Sequence, residues 1–205
     1  MHVAQGIRRV DGVRVANAYI VETDEGLALV DTGMPGNARR VRAELARMGR
    51  QSTDLRWIVL THCDIDHVGS VAALRRLTGA AVAIHGLDAP VLAGGRPQKG
   101  GLAMAAIYRL LRFRPLEPDR RLQDGDRIAG LEVVHVPGHT AGSIALRRDG
   151  VVFSGDALLG DRDGRARPPD PRLALDRIQA AASAARIQSM EARLLLPGHG
   201  APVWL

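Results

Sequence analysis

The sequence predicts an α/β protein, a four-layer αβ/βα sandwich formed by one domain. Short apolar runs that read as strands fall into two sets, and amphipathic, helix-like stretches separate them. Each of four apolar runs ends in a polar or glycine-containing turn that presents His or Asp, as strand ends do when they gather at one edge of a sheet. The 205 residues are ample for a core of two packed layers or more.

In chain order, residues 13–21 and 27–30 read as strands around the turn Asp24-Glu25-Gly26, a hairpin whose second strand ends at Asp31-Thr32-Gly33. Residues 37–50 place Val41, Leu45 and Met48 on one face and Arg39, Arg42 and Arg47 elsewhere, which predicts an amphipathic helix ending near Gly49. Trp57-Ile58-Val59-Leu60 reads as a buried strand, 68–77 as a helix, and 81–84 as a short strand leading to His85. From 131 onward the pattern is β: residues 131–136, 143–147 and 151–153, with Asp149-Gly150 as a hairpin turn. Residues 171–187 are expected to be helical, with Leu175, Ile178, Ala182 and Ala185 on one side, and 194–196 is the last strand.

The stretch His62-Cys63-Asp64-Ile65-Asp66-His67 carries the chemistry. Imidazole and carboxylate are the side chains that hold zinc, iron or manganese. In an extended segment His62 and Asp64 point to the same side. Asp66 and His67 come after the chain must turn, so they can face a second position nearby. The plainer alternative is a polar strand-to-helix loop with Asp66 capping the next helix. Three further turns weigh against it: Pro137-Gly138-His139, Ser154-Gly155-Asp156 and Pro197-Gly198-His199-Gly200, each after an apolar run. His62, Asp64, Asp66, His67, His139, Asp156 and His199 make seven ligands, enough for two metals sharing a carboxylate.

From Asp31-Thr32-Gly33 to His199 the order of these motifs resembles the metallo-β-lactamase-fold hydrolase superfamily, whose usual pattern is H-x-H-x-D-H followed by a His, a bridging Asp and a final His. The resemblance implies that His62, Asp64 and His139 hold a first metal, that Asp66, His67 and His199 hold a second, and that Asp156 bridges. Asp64 departs from the pattern, since most members have His there. A carboxylate makes the first metal a weaker Lewis acid and favours harder ions such as iron or manganese, although zinc also accepts carboxylates. Two divalent metals, zinc foremost, would share a water and lower its pKa toward neutrality, with Asp66 both binding metal and orienting the resulting hydroxide. The expected reaction is hydrolysis of a small ester, thioester or lactone. The alternatives are an iron-dependent oxidoreductase of the same fold and a metal-binding or ligand-sensing domain without turnover. Several named activities of the family are expected to fit this chain poorly. True β-lactamases lack the bridging Asp. Acyl-homoserine lactonases often carry Tyr three positions after it, where this chain has Leu159. Glyoxalase II enzymes extend into a helical domain, whereas only six residues follow His199 here. Asp31 is expected to orient a ligand rather than bind metal.

Segment 94–118 lacks a family motif. It opens with Gly94-Gly95-Arg96-Pro97, repeats glycine at Gly100-Gly101, and contains the apolar run 102–111. One reading is a core helix. The other is a mobile flap over the metal edge, with Leu102, Met104, Ile107, Tyr108 and Leu111 lining an acyl pocket and Tyr108 donating a hydrogen bond to the substrate oxygen.

Composition sets the remaining bounds. A hydrophobic fraction of 46% with 24% charged residues is that of a globular protein rather than a disordered one. No apolar stretch reaches the length of a membrane span, the N-terminus lacks a signal peptide's apolar core, and a single cysteine fits a reducing cytoplasm. That cysteine, Cys63, should point away from His62 and Asp64 into the core. The net charge of +6 comes almost wholly from arginine, Lys99 being the only lysine among 28 basic residues. The arginines are spread along the chain, and two each of Tyr, Phe and Trp are poor material for base stacking, so nucleic acid is an unlikely partner and a small molecule the expected one. His135, inside an apolar strand, is expected to be structural, and His2 and His85 have no place in the ligand set.

Overall fold

A computed structural model describes all 205 residues. The first sheet has seven strands: β1 (His2–Ala4), β2 (Ile7–Arg9), β3 (Tyr19–Thr23), β4 (Gly26–Val30), β5 (Leu55–Val59), β6 (Ala81–His85) and β7 (Arg120–Leu122), in that spatial order. Its first four strands pair antiparallel, and β4 to β7 run parallel. Strands β8 (Arg127–Ile128), β9 (Leu131–His135), β10 (Ile144–Arg148) and β11 (Val151–Gly155) begin the second sheet. A two-stranded ribbon, β12 (Leu159–Gly160) with β13 (Ala166–Arg167), interrupts it before β14 (Leu194–Pro197) and β15 (Val203–Trp204) complete the order β15-β14-β11-β10-β9-β8. The helices are α1 (Ala38–Arg47), α2 (Ile65–Val68), α3 (Val71–Thr78), α4 (Ala89–Leu92), α5 (Gly101–Leu110) and α6 (Arg177–Gln188).

Alternation along the strands makes the layers. Ala28 and Val30 of β4 join Val133, Leu146, Phe153 and Leu196 of the second sheet in the core between the sheets. Leu27 and Leu29, one position out of phase, join Val41, Leu45 and Leu74 of α1 and α3 on the outer face. On the far side, Val152 and Leu195 pack against Ala184 and Ile187 of α6. The result is the four-layer αβ/βα sandwich that the sequence predicts.

Three boundaries differ from expectation, each for a tertiary reason. Strand β3 begins at Tyr19 rather than at residue 13, because the preceding loop binds the last ligand loop instead of a neighbouring strand. Asn17 donates from its backbone to Gly198 O (2.6 Å) and from Nδ2 to Pro197 O (2.9 Å). The helix expected at 68–77 is two helices, α2 and α3, parted at Gly69-Ser70. A Cβ at Gly69 would meet Pro35 at 2.3 Å, and Ser70 Oγ donates to Met34 O (2.7 Å). The helix expected from 171 starts at Arg177, capped by Asp176, and buries Ala180, Ser183, Ala184 and Ile187. Leu175, Ile178, Ala182 and Ala185 are exposed instead. Small residues face inward because α6 lies directly on the His139 loop: Ser183 Oγ donates to Pro137 O (2.7 Å), and a Cβ at Gly138 would collide with Ala180 N.

Cys63 is buried in the outer core, and burial pushes its thiol pKa well up. His135 is structural, its Nε2 bonded to Ala141 O (2.9 Å) and its ring stacked on His85 at 4.2 Å between centroids. No helix is long and apolar enough to cross a membrane.

Phe153, fully buried between the sheets with its ring centroid 5.5 Å from that of Tyr19 in an edge-to-face arrangement, is the natural test of this packing. Phe153→Ala is expected to destabilise the fold by about 3–5 kcal/mol, read as a fall in the urea midpoint at unchanged slope.

Candidate metal centre

Strand β4 is followed by Asp31, a 2% exposed carboxylate on a residue held at φ 59°, in the left-handed region. Asp is among the few non-glycine residues that occupy that region readily. From there the carboxylate accepts three hydrogen bonds: from Thr61 N (2.8 Å), Thr61 Oγ1 (2.8 Å) and His67 Nδ1 (2.9 Å). These bonds determine two tautomers. His67 carries a proton on Nδ1, so the proton it gives up on neutralisation is the one on Nε2, whose lone pair then faces inward. Thr61 spends its hydroxyl proton on Asp31, so toward His62 Nδ1, 3.0 Å away, the hydroxyl can only accept. His62 Nε2 therefore also presents a lone pair, and it is buried with no hydrogen-bond partner. An orphaned buried acceptor is costly unless a cation faces it. Asp31 thus orients ligands, as expected, from behind two of them.

All seven expected side chains meet in one cluster. His62 and Asp64 leave the end of β5, and Asp66 and His67 lie in α2, whose first residue follows Asp64. Asp64 sits at the N-cap position but makes no capping bond with its side chain, and Asp66 lies inside the helix, so the capping alternative does not describe this turn. His139 follows β9, Asp156 follows β11, and His199 follows β14. The potential ligand atoms fall into groups of three that lie within 4.8 Å of one another: His62, Asp64 and His139; Asp66, His67 and His199; and His62, His67 and Asp156. In the second group His67 Nε2 and His199 Nε2 are 3.3 Å apart, His199 Nε2 and Asp66 Oδ2 3.3 Å, and His67 Nε2 and Asp66 Oδ2 3.9 Å. Metal–ligand bonds of about 2.1 Å in a tetrahedron separate neighbouring ligand atoms by about 3.4 Å. Asp156 lies against the same group, with Oδ1 3.4 Å from His67 Nε2 and Oδ2 3.3 Å from His199 Nε2. The same Oδ2 is 3.5 Å from His139 Nε2, between the two groups. The donor set and spacing fit a divalent cation.

Glycine makes this approach feasible. A Cβ at Gly198 would stand 2.4 Å from Asp156 Oδ1 and 2.7 Å from His67 Cε1. Backbone bonds from Asn17 and the Tyr19 hydroxyl (2.8 Å to Pro197 O) hold that loop in place.

Charge is concentrated here. Burial opposes ionisation of Asp156, but His67 and the hydrogen bonds from His199 and His67 outweigh it and hold the carboxyl well below the usual range. Asp64 is likewise held low by His139, His62 and Lys99 against the effect of burial. Burial disfavours charge on His199, yet its bonds to Asp156 and Asp66 push its pKa up to about 9. His67 is raised well above the ordinary histidine value by Asp156 and Asp31, which overcome the same penalty.

Tyr108 departs from expectation. Its ring packs on Phe113 and into the outer core, and its hydroxyl donates to Cys63 O (2.7 Å), which occupies the proton it was expected to offer a substrate. Helix α5 is thus a core helix on its Tyr108 and Met104 side, while Leu102, Ile107 and Leu110 face outward. Residues that the motif reading passed over complete the site. Thr61 sets the His62 tautomer. Asp88, fully buried, accepts from Cys63 N and Thr140 Oγ1 (2.8 Å each), Gly142 N (2.8 Å) and Gln98 Nε2 (2.8 Å). Lys99 contacts Asp64, and its being the only lysine was the one visible signal.

A two-sheet sandwich with His and Asp gathered at the strand ends defines a class of metal-binding α/β proteins, and the comparisons name it. Residues 11–199 match the model of the metallo-beta-lactamase superfamily, and the chain belongs to that superfamily. It is similar to the probable metallo-hydrolase YflN of Bacillus subtilis (strain 168), 26% identical over 93% of this chain and 83% of that protein. It is 33% identical to a hydroxyacylglutathione hydrolase of Anaeromyxobacter dehalogenans over 73% of this chain, which spans 48% of that protein's length. Among solved structures, the di-iron-bound form of TTHA1623 superposes with a TM-score of 0.72 at 31% identity, covering 96% of this chain and 93% of that one.

Two outcomes follow. Asp31→Asn keeps the shape but cannot stabilise both inward-facing lone pairs as the carboxylate does. It is expected to weaken metal binding about 10–100-fold in equilibrium dialysis. Because His67 and His199 hold protons near neutrality in the metal-free cluster, metal uptake must release them. Apparent affinity should therefore climb as pH rises from 6 toward about 9, with proton release visible in weakly buffered titrations. The raised His199 value stabilises the fold fully below the ordinary histidine pKa of 6.5, and that contribution is lost as pH rises through about 9.

Proposed function

We propose that this protein is a metal-dependent hydrolase of small esters, thioesters or lactones. In this reading Asp66, His67 and His199 hold one divalent cation, His62, Asp64 and His139 form the position of a second, and Asp156 lies between them. The observation that carries it is the second group with Asp156: three ligand atoms 3.3–3.9 Å apart and an Asp156 oxygen 3.3–3.4 Å from each of the two imidazoles, whose orientations are set from behind by Asp31 and Val15 O (3.1 Å from His199 Nδ1). The hydroxyacylglutathione hydrolase relative supports an acyl substrate, and the probable metallo-hydrolase YflN supports hydrolysis.

Bound divalent cations supply Lewis acidity and a water acidic enough to act as a nucleophile near neutral pH. The protein's own residues do the rest. Asp64, Asp66 and His199 are the part-exposed members of the cluster, with side chains 28%, 21% and 26% exposed, so substrate reaches the cluster from their side. Asp66 is placed there to accept a proton from a water and hold it toward a bound carbonyl. His62, His67 and His139 form the buried floor that keeps bulk water out.

Asp64 and the di-iron form of TTHA1623 favour iron as one resident metal, which keeps an iron-dependent oxidoreductase as the second reading. Elemental analysis of the purified protein, an ester, thioester and lactone panel, and an oxygen electrode separate the two. Turnover of any panel member without oxygen consumption supports the hydrolase, and oxygen uptake without hydrolysis overturns it. Asp64→His is expected to keep metal and shift preference toward zinc. Asp64→Ala should lower occupancy of the first group alone. Unchanged metal content and activity in Asp64→Ala would remove Asp64 from the ligand set.

A further inference from the structure

One member of the cluster is a cation that the chain itself supplies. Lys99 places Nζ 2.6 Å from Asp64 Oδ2 and 2.9 Å from His139 Nε2, two potential metal-ligand atoms that lie 3.0 Å apart. An ammonium has only donors, so it pairs with the Asp64 carboxylate and stands where it faces the same atoms that a metal would take. Its side chain is 19% exposed.

This placement is built rather than casual. Gln98, the preceding residue, is clamped at both ends of its amide: Nε2 donates to Asp88 Oδ1 (2.8 Å) and Leu87 O (3.0 Å), and Oε1 accepts from Ala141 N (2.7 Å). Asp88 in turn bonds the backbone of Cys63, next to the ligand Asp64, and of Gly142, three residues after His139. One buried carboxylate therefore sets the distance from Lys99 to both of its partners. Gly100 and Gly101 follow at φ 71° and 51°, a backbone that can reverse direction there without side-chain strain.

A metal bonded to Asp64 and His139 at about 2.0–2.2 Å would share both atoms with Nζ, and two cations held by the same pair of atoms repel strongly. We infer that Lys99 is a tethered cation competing with metal for the His62–Asp64–His139 position. The Asp66–His67–His199 position then fills first, and the other fills only as residues 98–101 withdraw. This rests on the metal-binding reading above and adds an order of occupancy that depends on segment 94–118. The segment thereby affects the site through its basic end rather than through Tyr108.

Two measurements on the full chain, stripped of metal by chelation, test it. In equilibrium dialysis against Zn(II) and Mn(II), the wild type should take one equivalent tightly and a second at least tenfold more weakly. Lys99→Met, similar in length but uncharged, should tighten the second equivalent at least tenfold and leave the first unchanged. Gln98→Ala should shift it in the same direction by less. The second measurement needs no variant, because Lys99 is the only lysine and a lysine-specific endoprotease has a single cleavage site. Cleavage after Lys99 should be slow without metal and with one equivalent, and should accelerate as the second binds. Equal affinities for both equivalents, a second equivalent that Lys99→Met leaves unchanged, or a cleavage rate independent of metal overturns the inference and leaves the hydrolase reading standing. A chain that binds no metal in either form overturns both.

Discussion

The carboxylate of Asp31 takes hydrogen bonds from Thr61 N, Thr61 Oγ1 and His67 Nδ1, and much of the site's geometry depends on it. It ties the end of β4 to the turn after β5, and it decides which nitrogen of two imidazoles faces inward. Buried at a strained backbone position, it is stabilised by these donors, and they in turn have no alternative partner of comparable strength. Removing its charge would loosen the turn and free both rings together. Ligand orientation and local fold are one interaction here.

That interaction creates an electrostatic requirement. In front of the imidazoles that Asp31 orients, Asp64, Asp66 and Asp156 gather in one cluster, these three carboxyls held toward the charged form. Buried negative charge at this density needs a compensating cation. In the metal-free chain it comes from protons on His67 and His199 and from the Lys99 ammonium. Metal binding is therefore an exchange of cations, and the fold contains the group to be displaced.

The two sheets divide the work. The first supplies His62, Asp64, Asp66 and His67 within six residues, and the second supplies His139, Asp156 and His199 from three separate strand ends. Neither sheet alone completes a group of three with Asp156. The core between the sheets holds them in register, and the loop at Asn17 and helix α6 clamp the His199 and His139 turns from outside. A shift of one ångström between the sheets would separate the ligands, so packing far from the cluster sets its affinity.

Much was legible in the residues themselves. Alternating apolar runs specified two-sided buried strands, and turns rich in His, Asp and Gly marked where they end. The period of two put His62 with Asp64, and the chain reversal at Ile65 put Asp66 with His67, because these depend on backbone geometry a few residues long. The inward face of α6 was misread because its contact is with Gly138, more than forty residues earlier in the chain, where only small side chains fit. The break at Gly69 answers to Pro35, and the late start of β3 answers to Gly198. Tyr108 departed from its expected role, and Lys99 acquired one that no motif suggested, for the same reason: the hydroxyl found a carbonyl in the core, and the single lysine found the carboxylate. Composition and short-range pattern determined the elements, the fold class and the ligand types. Which side chains meet, which proton sits where and which cation stands at Asp64 were decided by contacts across the chain, which no local pattern encodes.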